Sequence, residues 1–191
     1  MKKILVTLSL FLAFVSSAFA LDLQIGADLT MPVQIYKPAG YDKSIVQTNL
    51  GIDVNADYFF TDLIGIGGDF TFVIPLKGHY DGNSYKINGN GYKSYSIDMF
   101  VGCAFRLLNK DNMQFIVTPG LAFDYSWAKY DLGSLGTYKE SDTDLGIGAD
   151  AKFAYKFNDK IGINGGAFMG FYFDTYNRFV FTPKVGATYF F

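Results

Sequence analysis

The stretch that decides the fold is Leu21-Asp22-Leu23-Gln24-Ile25-Gly26-Ala27-Asp28-Leu29-Thr30-Met31-Pro32-Val33-Gln34-Ile35, in which every second residue is apolar. The odd positions carry only aliphatic side chains and one Met, and the even positions carry Asp, Gln, Gly, Thr and Pro. A helix would distribute these two classes around its axis, whereas a strand points them to opposite faces. The stretch is therefore predicted to be a β-strand with one apolar face and one polar face.

The same alternation recurs seven more times along the chain. The further segments cover approximately residues 46–58, 64–74, 95–107, 115–127, 145–157, 161–173 and 179–191, and the eight segments are 11 to 15 residues long. Ordinary strands are about 5–6 residues long, whereas a tilted strand that crosses a membrane needs about 9–11 residues. Eight antiparallel strands are predicted, each long enough to span a bilayer.

The two faces of these strands differ in composition. The apolar face has 56 positions, of which 51 are hydrophobic and none is charged, while the other face has 48 positions with 12 charged residues and 12 glycines. Two architectures fit: a secreted lipocalin-like barrel with the apolar face inside, and a transmembrane barrel with that face toward lipid. An eight-stranded interior is narrow. Because this interior has room for glycine and would be overfilled by the bulky apolar residues, the polar face is predicted to line the lumen.

The overall composition excludes several classes of protein. The chain has 191 residues, of which 50% are hydrophobic and 18% charged, with one Cys and a net charge of −2. Intrinsic disorder, a disulfide scaffold and nucleic-acid binding are therefore not expected. Cys103 falls on the lipid-facing side, where it is interpreted as a small apolar residue.

The N-terminal residues are typical of an exported protein. Met1-Lys2-Lys3 is positively charged, residues 4–15 are apolar, and Ser16-Ser17-Ala18-Phe19-Ala20 ends in small residues. This pattern predicts a signal peptide at residues 1–20 and a barrel domain at residues 21–191. The alternative, an N-terminal membrane helix, is less favoured because spanning requires about 20 apolar residues.

The connections between the segments alternate in length. Short turns are predicted at residues 59–63, 108–114 and 158–160, longer loops at 36–45, 75–94 and 128–144, and a brief link at 174–177. Transmembrane barrels have short periplasmic turns and longer extracellular loops, so both termini are predicted to be periplasmic. Aromatic residues gather at the loop ends of the segments and are predicted to form a girdle: Tyr36, Phe72, Tyr95, Tyr125, Trp127, Phe173 and Phe179.

The last strand carries a further signature. Val185, Ala187, Tyr189 and the terminal Phe191 alternate with smaller or polar residues, and residues 118–125 and 182–186 contain Pro-x-apolar stretches. In these features the chain resembles the small outer-membrane β-barrels of the OmpA, OmpX and OmpW type over all 171 residues that follow the predicted signal peptide. The resemblance implies location in the cell outer membrane, a monomer, and recognition of Tyr189 and Phe191 by the barrel-assembly machinery.

Two prolines conflict with a regular closed barrel. Pro119 and Pro183 fall inside predicted strands, and a closed barrel has no free edge at which a residue without a backbone N–H is tolerated. A bulge or a lost ladder bond is expected at each.

The polar face supplies the first candidate site. Its charged residues are Asp22, Asp28, Asp53, Asp57, Asp69, Asp98, Asp124, Asp150, Arg106, Lys152, Lys156 and Lys184. Because buried charges must be paired, they are interpreted as a network that fills a non-conducting lumen, with Lys184 within reach of Asp28 or Asp22. The alternatives are a narrow acidic path for small cations or polar solutes, and a hard-cation site among Asp28, Asp53 and Asp69; no metal or cofactor is predicted.

The long loops supply the second candidate site. Tyrosines among Asn, Gly and Ser suit a recognition surface but also any exposed mobile loop; the binding candidates are Tyr80, Tyr85, Tyr92, Tyr130 and Tyr138. His79, the single His of the chain, lies near Asp81 and Ser84. Some outer-membrane lipid hydrolases and transferases use a catalytic histidine together with a serine and a carboxylate. His79 is nevertheless interpreted as a solvated loop residue.

Together these features predict an all-β, eight-stranded antiparallel transmembrane barrel, embedded in outer-membrane lipid. Its predicted role is structural and surface-interacting, with loops presented to an extracellular ligand or host surface. A narrow, porin-like passive channel of the kind the OmpW resemblance suggests is the alternative, and a lipid-modifying enzyme is the third possibility.

Overall fold

The computed structural model describes residues 22–38, 40–89, 91–131, 136–173 and 177–191. The strands in these ranges are β1 (Asp22–Thr30), β2 (Val33–Tyr36), β3 (Ile45–Phe59), β4 (Ile64–Tyr80), β5 (Asn83–Lys86), β6 (Tyr92–Lys110), β7 (Met113–Asp131), β8 (Thr137–Lys156), β9 (Ile161–Tyr172) and β10 (Arg178–Phe190). Within the same ranges, no helix is long and apolar enough to cross a membrane.

The strands form one closed antiparallel ring. β1 pairs with β3 on one side and with β10 on the other, so the first and last strands close the barrel. The order around the ring is β1, β3, β4, β6, β7, β8, β9 and β10, with β2 continuing β1 and β5 forming a hairpin with β4. The predicted eight-stranded antiparallel barrel is confirmed.

The first predicted strand is divided at Met31 and Pro32. β1 and β2 keep one register against β10, since Thr30 lies opposite Lys184 and Val33 opposite Phe181. Between them the ladder lacks regular pairs because Pro32 and Pro183 have no N–H to donate. The Met31 N–H still donates to the Pro183 carbonyl over 3.1 Å. The expected loss of ladder pairing at Pro183 thus coincides with a break in the neighbouring strand.

Pairing is also interrupted at Pro119 without a change of register. Gly120 lies opposite Gly102 and Val117 opposite Phe105, but Pro119 has no paired residue on β6. On its other side Pro119 remains in register with Ala149. Elsewhere the register shifts next to Asn49, on the β3–β4 ladder, and next to Arg106, on the β6–β7 ladder.

Burial alternates along the strands as the sequence predicts. In β3, for example, Ile52 is 60% exposed on the outer surface while Asp53 is fully buried. The interior is narrow: a Cβ placed at Gly148 would lie 2.6 Å from the ring of Phe168, and one placed at Gly170 would lie 2.5 Å from it. These inward-facing glycines therefore make room for a single aromatic side chain, and the predicted orientation, polar inside and apolar outside, is confirmed.

The two ends of the barrel differ in shape. One end, here called the turn end, has the short turns at residues 60–63, 111–112 and 157–160 and both described termini. The other, the loop end, carries the longer connections. The short predicted turns are confirmed, with bounds that differ by at most three residues.

Two of the predicted long loops are instead largely strand. β4 runs to Tyr80 and turns into β5 through Asp81 and Gly82, whose φ angles of 51° and 78° suit a two-residue hairpin turn. β6 begins at Tyr92, β7 ends at Asp131 and β8 begins at Thr137. The prediction of loops at 75–94 and 128–144 was therefore wrong. Beyond the membrane both faces of a strand are in contact with water. The apolar alternation ends there, although the strands remain paired. The predicted link at 174–177 lies, except for Asn177, outside the described residues.

Candidate functional sites in the barrel interior and at the loop end

The interior is closed at the turn end by an ion pair. The guanidinium of Arg106 on β6 donates two hydrogen bonds of 2.6 Å to the carboxylate of Asp22 on β1. The same guanidinium lies 3.6 Å from the ring centre of Phe59. Beside this pair, the Gln24 amide donates to Gln114 over 2.7 Å. These contacts fix the lower interior across several strands.

A second layer lies at mid-height around Lys152. Its ammonium forms an ion pair with Asp57 and donates to the Asn55 side-chain oxygen over 3.1 Å. The Asn55 amide in turn donates to Asp28 over 2.9 Å and to Asp53 over 3.0 Å. Every charged member of this layer therefore contacts a partner of opposite charge or an amide.

Lys184 on β10 connects two opposite walls. Its ammonium lies 2.7 Å from a carboxylate oxygen of Asp69 on β4 and 2.7 Å from one of Asp150 on β8. The sequence placed Lys184 within reach of Asp28 or Asp22, but the salt bridges go to Asp69 and Asp150. The lysine chain is long enough to cross the narrow lumen and reach two carboxylates instead of one on the adjacent strand.

An apolar layer lies above the Lys184 ion pairs. The rings of Phe100 and Phe168 are 5.1 Å apart, edge to face, and pack with Ala122, Tyr172 and Val180. The cavity beside this layer measures about 20 Å³. Such a space holds about one water molecule, so the lumen is narrow at this height.

A third set of charges lies toward the loop end. Asp98, Asp124 and Asp144 are direct cross-strand neighbours on β6, β7 and β8. The guanidinium of Arg178 lies 3.3 Å from Asp124 and 2.9 Å from Asp144, and 4.7 Å from the ring centre of Tyr172. One arginine thus faces a row of three carboxylates and covers the apolar layer.

Arg178 and Asp144 were missed by the sequence analysis. Both continue the lumen-facing alternation of their strands by one further step, Arg178 before Val180 and Asp144 before Gly146. Both residues fit the alternation, but the apolar face that predicts each strand stops before them. Above Arg178 a cavity of about 190 Å³ opens at the loop end, lined by Gln34, Tyr36, Gln47, Ser96 and Asp144 among others.

The remaining predicted lumen residue, Lys156, lies near the turn end with its ammonium 4.5 Å from the ring centre of Phe190. The structure thus brings Asp28, Asp53 and Asp57 into one layer and Asp69 and Asp150 into another. No group of three or more His, Cys, Asp or Glu side chains in the described part of the chain is arranged to hold a metal ion.

Three of the predicted surface tyrosines form a row on the loop-end parts of β6, β7 and β8, here called the strand extensions (residues 92–94, 128–131 and 137–144). Tyr92, Tyr130 and Tyr138 are direct cross-strand neighbours on β6, β7 and β8. Ring centres are 4.8 Å apart for Tyr92 and Tyr130, and 5.8 Å for Tyr130 and Tyr138. The Tyr130 hydroxyl donates to Glu140 over 3.1 Å. Partial burial, with this hydrogen bond, raises the pKa of Tyr130 above its ordinary value.

The other two predicted tyrosines lie on the β4–β5 hairpin. Tyr80 packs edge to face against Tyr41, with ring centres 5.1 Å apart. Tyr85 is exposed, and partial desolvation raises its pKa. The five candidates therefore divide into one ordered row and two residues on a separate hairpin.

His79 and Ser84 are brought together on the same hairpin. The Ser84 hydroxyl lies 2.8 Å from Nδ1 of His79, and both residues are exposed. Asp81, the nearby carboxylate, forms its ion pair with Lys43 and not with the imidazole. A catalytic triad requires a third group that orients the histidine, and Asp81 does not take that place.

The last residues complete the ring. Tyr189 and Phe191 point outward with ring centres 4.8 Å apart, and the Phe191 N–H donates to the Leu23 carbonyl over 3.0 Å. A closed antiparallel ring with an apolar outer surface and a polar interior defines a transmembrane β-barrel.

The comparisons with known proteins agree with this architecture. Residues 6–189 match the family described as outer membrane protein beta-barrel domain, and the chain belongs to this family. It is an outer-membrane protein. A comparison with curated protein sequences finds no significant match.

Several solved structures share the fold. Neisserial surface protein A is 11% identical, with a TM-score of 0.60 over 89% of this chain and 97% of that one. OprG from Pseudomonas aeruginosa is 16% identical, with a TM-score of 0.54 over 90% and 96%. Ail from Yersinia pestis, in complex with the heparin analogue sucrose octasulfate, is 18% identical, with a TM-score of 0.51 over 89% and 99%. At these identities the likeness concerns the fold.

Proposed function

We propose that this protein is a surface-interaction barrel, whose closed lumen anchors a recognition platform at the loop end. The observation that carries the proposal is that β6, β7 and β8 continue beyond the apolar belt, the outer surface of the barrel that faces lipid. In this continuation Tyr92, Tyr130 and Tyr138 form one row. Tyrosine provides a large contact area at a small conformational entropy cost. A row held by strand pairing is also better preorganised for binding than a mobile loop.

The filled interior supports an anchoring role in preference to transport. The ion pairs of Arg106, Lys152 and Lys184 lie at successive heights, and the Phe100–Phe168 layer lies between Lys184 and Arg178. A path for hydrated ions would have to separate several of these contacts. The narrow solute channel therefore remains the second candidate, and the cavity near Arg178 is the observation that favours it.

The orientation and assembly belong to the same proposal. The signal peptide is removed after Ala20, the turn end with both termini faces the periplasm, and the loop end faces the exterior. The barrel-assembly machinery recognises Tyr189 and Phe191, and the barrel works as a monomer. Because no carboxylate in the described part of the chain contacts the His79 imidazole, we infer that the hairpin has no role in lipid hydrolysis or transfer.

Two measurements test the proposed function. Purified barrel in planar bilayers should produce no stepwise conductance at any voltage; reproducible single-channel steps would favour the channel instead. Cells displaying the protein should bind an array of immobilised glycans and host extracellular-matrix proteins more strongly than cells displaying the Tyr92→Ser, Tyr130→Ser, Tyr138→Ser variant at equal surface level. A Tyr41→Ser variant serves as the control for loss of an exposed loop-end tyrosine outside the row, since Tyr41 is not one of the predicted binding residues. Equal binding by all three proteins would overturn the recognition role.

A further inference from the structure

A row of three lysines lies on the outer surface of the same strand extensions. Lys93, Lys129 and Lys139 are direct cross-strand neighbours on β6, β7 and β8, and all three side chains are exposed. None of the three has an ion-pair partner among the described residues. Asp131 lies on the same face as Lys129, two residues farther along β7 toward the loop end. Like charges directly opposite each other destabilise a sheet, so an anion between the ammonium groups would offset their repulsion.

The position of this row relative to the membrane defines the kind of anion. Tyr95 and Trp127 lie on the same face, two residues nearer the barrel than Lys93 and Lys129, and are direct cross-strand neighbours. The centre of the Trp127 ring lies 5.9 Å from the ring centres of both Tyr95 and Tyr125. Aromatic girdles of this kind mark the boundary between hydrocarbon and headgroups. Two residues along a strand cover about 7 Å, so the lysines lie at the depth of the lipid headgroups.

The lysines and the aromatic cluster line one open cavity. This cavity of about 530 Å³ on the outer surface is lined by Lys93, Lys129, Lys139, Tyr95, Tyr125 and Trp127, and also by Glu140 and Ser141. The Glu140 carboxylate accepts a hydrogen bond from the Tyr130 hydroxyl, and the three ammonium groups outnumber the single carboxylate of the lining. Below it the outer surface continues with the apolar residues of β6 and β7, among them Met99 and Leu121. A molecule that fits this surface has a negatively charged headgroup and acyl chains that extend over the apolar belt.

We propose that this cavity is a binding site for the phosphate headgroup of a lipid in the membrane leaflet around the loop end. The three ammonium groups contact the phosphate oxygens, the aromatic rings pack against the headgroup–acyl junction, and the acyl chains lie on the barrel wall. A soluble anion would have the charge but not the apolar contacts. The site is on the outer surface and therefore does not depend on the proposed recognition role of the tyrosine row.

Trp127, the only tryptophan of the chain, provides a local reporter. The barrel is folded into phosphatidylcholine vesicles with an equal minor fraction of either brominated phosphatidic acid or brominated phosphatidylcholine, and quenching of Trp127 fluorescence is measured. Because each lysine near a membrane surface adds to the attraction of anionic lipid, we expect phosphatidic acid to be preferred next to Trp127 by about tenfold. In the Lys93→Gln, Lys129→Gln, Lys139→Gln variant the preference should fall to about twofold or less.

Two further variants separate the proposed site from general electrostatics. Lys37→Gln, Lys77→Gln, Lys86→Gln removes the same charge from other exposed loop-end positions and should leave the preference unchanged. The triple Lys-to-Arg variant at 93, 129 and 139 should keep it, which also shows that substitution of the row permits folding. Equal quenching by the two lipids in the native protein, or the same loss in both Gln variants, would overturn the proposal.

Discussion

Arg106 and Asp22 form a bidentate ion pair across the turn end of the barrel, with both hydrogen bonds at 2.6 Å, although the two residues are 84 positions apart in the chain. The pair joins β6 to β1 through the lumen, not through a shared strand ladder. Their exposures are unequal, because the Arg106 side chain is 1% exposed and that of Asp22 is 42% exposed. The two members should therefore respond differently to loss of the partner.

Removal of the carboxylate should destabilise the barrel more than removal of the guanidinium. Asp22→Ala leaves a buried guanidinium without its partner, and breaking a buried pair in this way costs about 3–5 kcal/mol. Arg106→Met keeps the apolar part of the side chain over Phe59 and leaves a carboxylate that water can reach, so its loss should be about 1–2 kcal/mol. Urea unfolding of both variants in lipid vesicles measures the difference, and equal losses would contradict the asymmetry.

Lys184 should stabilise the barrel mainly by neutralising the carboxylates of Asp69 and Asp150. Lys184→Met leaves Asp69 and Asp150 without their shared cation, and we expect a loss of about 3–5 kcal/mol in the free energy of unfolding. Adding Asp69→Asn and Asp150→Asn removes the uncompensated charges and should restore most of that loss. Unfolding in vesicles compares the single and triple variants; if the triple variant is the less stable of the two, the network does not act through charge compensation.

The cost of placing a charged side chain on the outer surface should depend on how deep the position lies in the bilayer. Ile52 and Leu107 are each 60% exposed on the outer wall, but Ile52 lies in the middle of β3 and Leu107 near the turn end of β6. Arginine at the bilayer midplane costs about 2–4 kcal/mol and near the interface about 0–1 kcal/mol. We therefore expect Ile52→Arg to reduce the free energy of unfolding much more than Leu107→Arg. Similar losses at the two positions would place them at similar depth.

The period-2 alternation was sufficient to predict the ring, because each strand has one face in lipid and one in the lumen. It could not predict the ends of the strands in water. There Lys93 and Tyr92 occupy opposite faces that are both polar, and pairing continues without an apolar signal.

The lumen contacts were only partly predictable. The sequence identified Lys184, Asp69 and Asp150 as lumen residues, since each falls on the polar face. Which of them meet depends on the stagger of the strands and on how far a lysine reaches across the lumen. Neither quantity is encoded in the alternation, so Asp28 and Asp22 were the expected neighbours of Lys184. Arg178 was missed for a related reason, because it lies one step beyond the apolar part of β10.

The closure of the ring gives the last prediction. Ala27 on β1 lies opposite Ala187 on β10, and both point outward. In a Cys103→Ser background, which removes the exposed native thiol, Ala27→Cys with Ala187→Cys should form a disulfide under mild oxidation in the folded, membrane-embedded protein. Ala27→Cys with Ala167→Cys is the matched control, since Ala167 lies on β9 and is separated from β1 by β10. Gel mobility before and after reduction measures the cross-link. A ring closed by β1 and β10 predicts cross-linking in the first variant alone, whereas cross-linking in neither variant, or in the control alone, would contradict the observed closure.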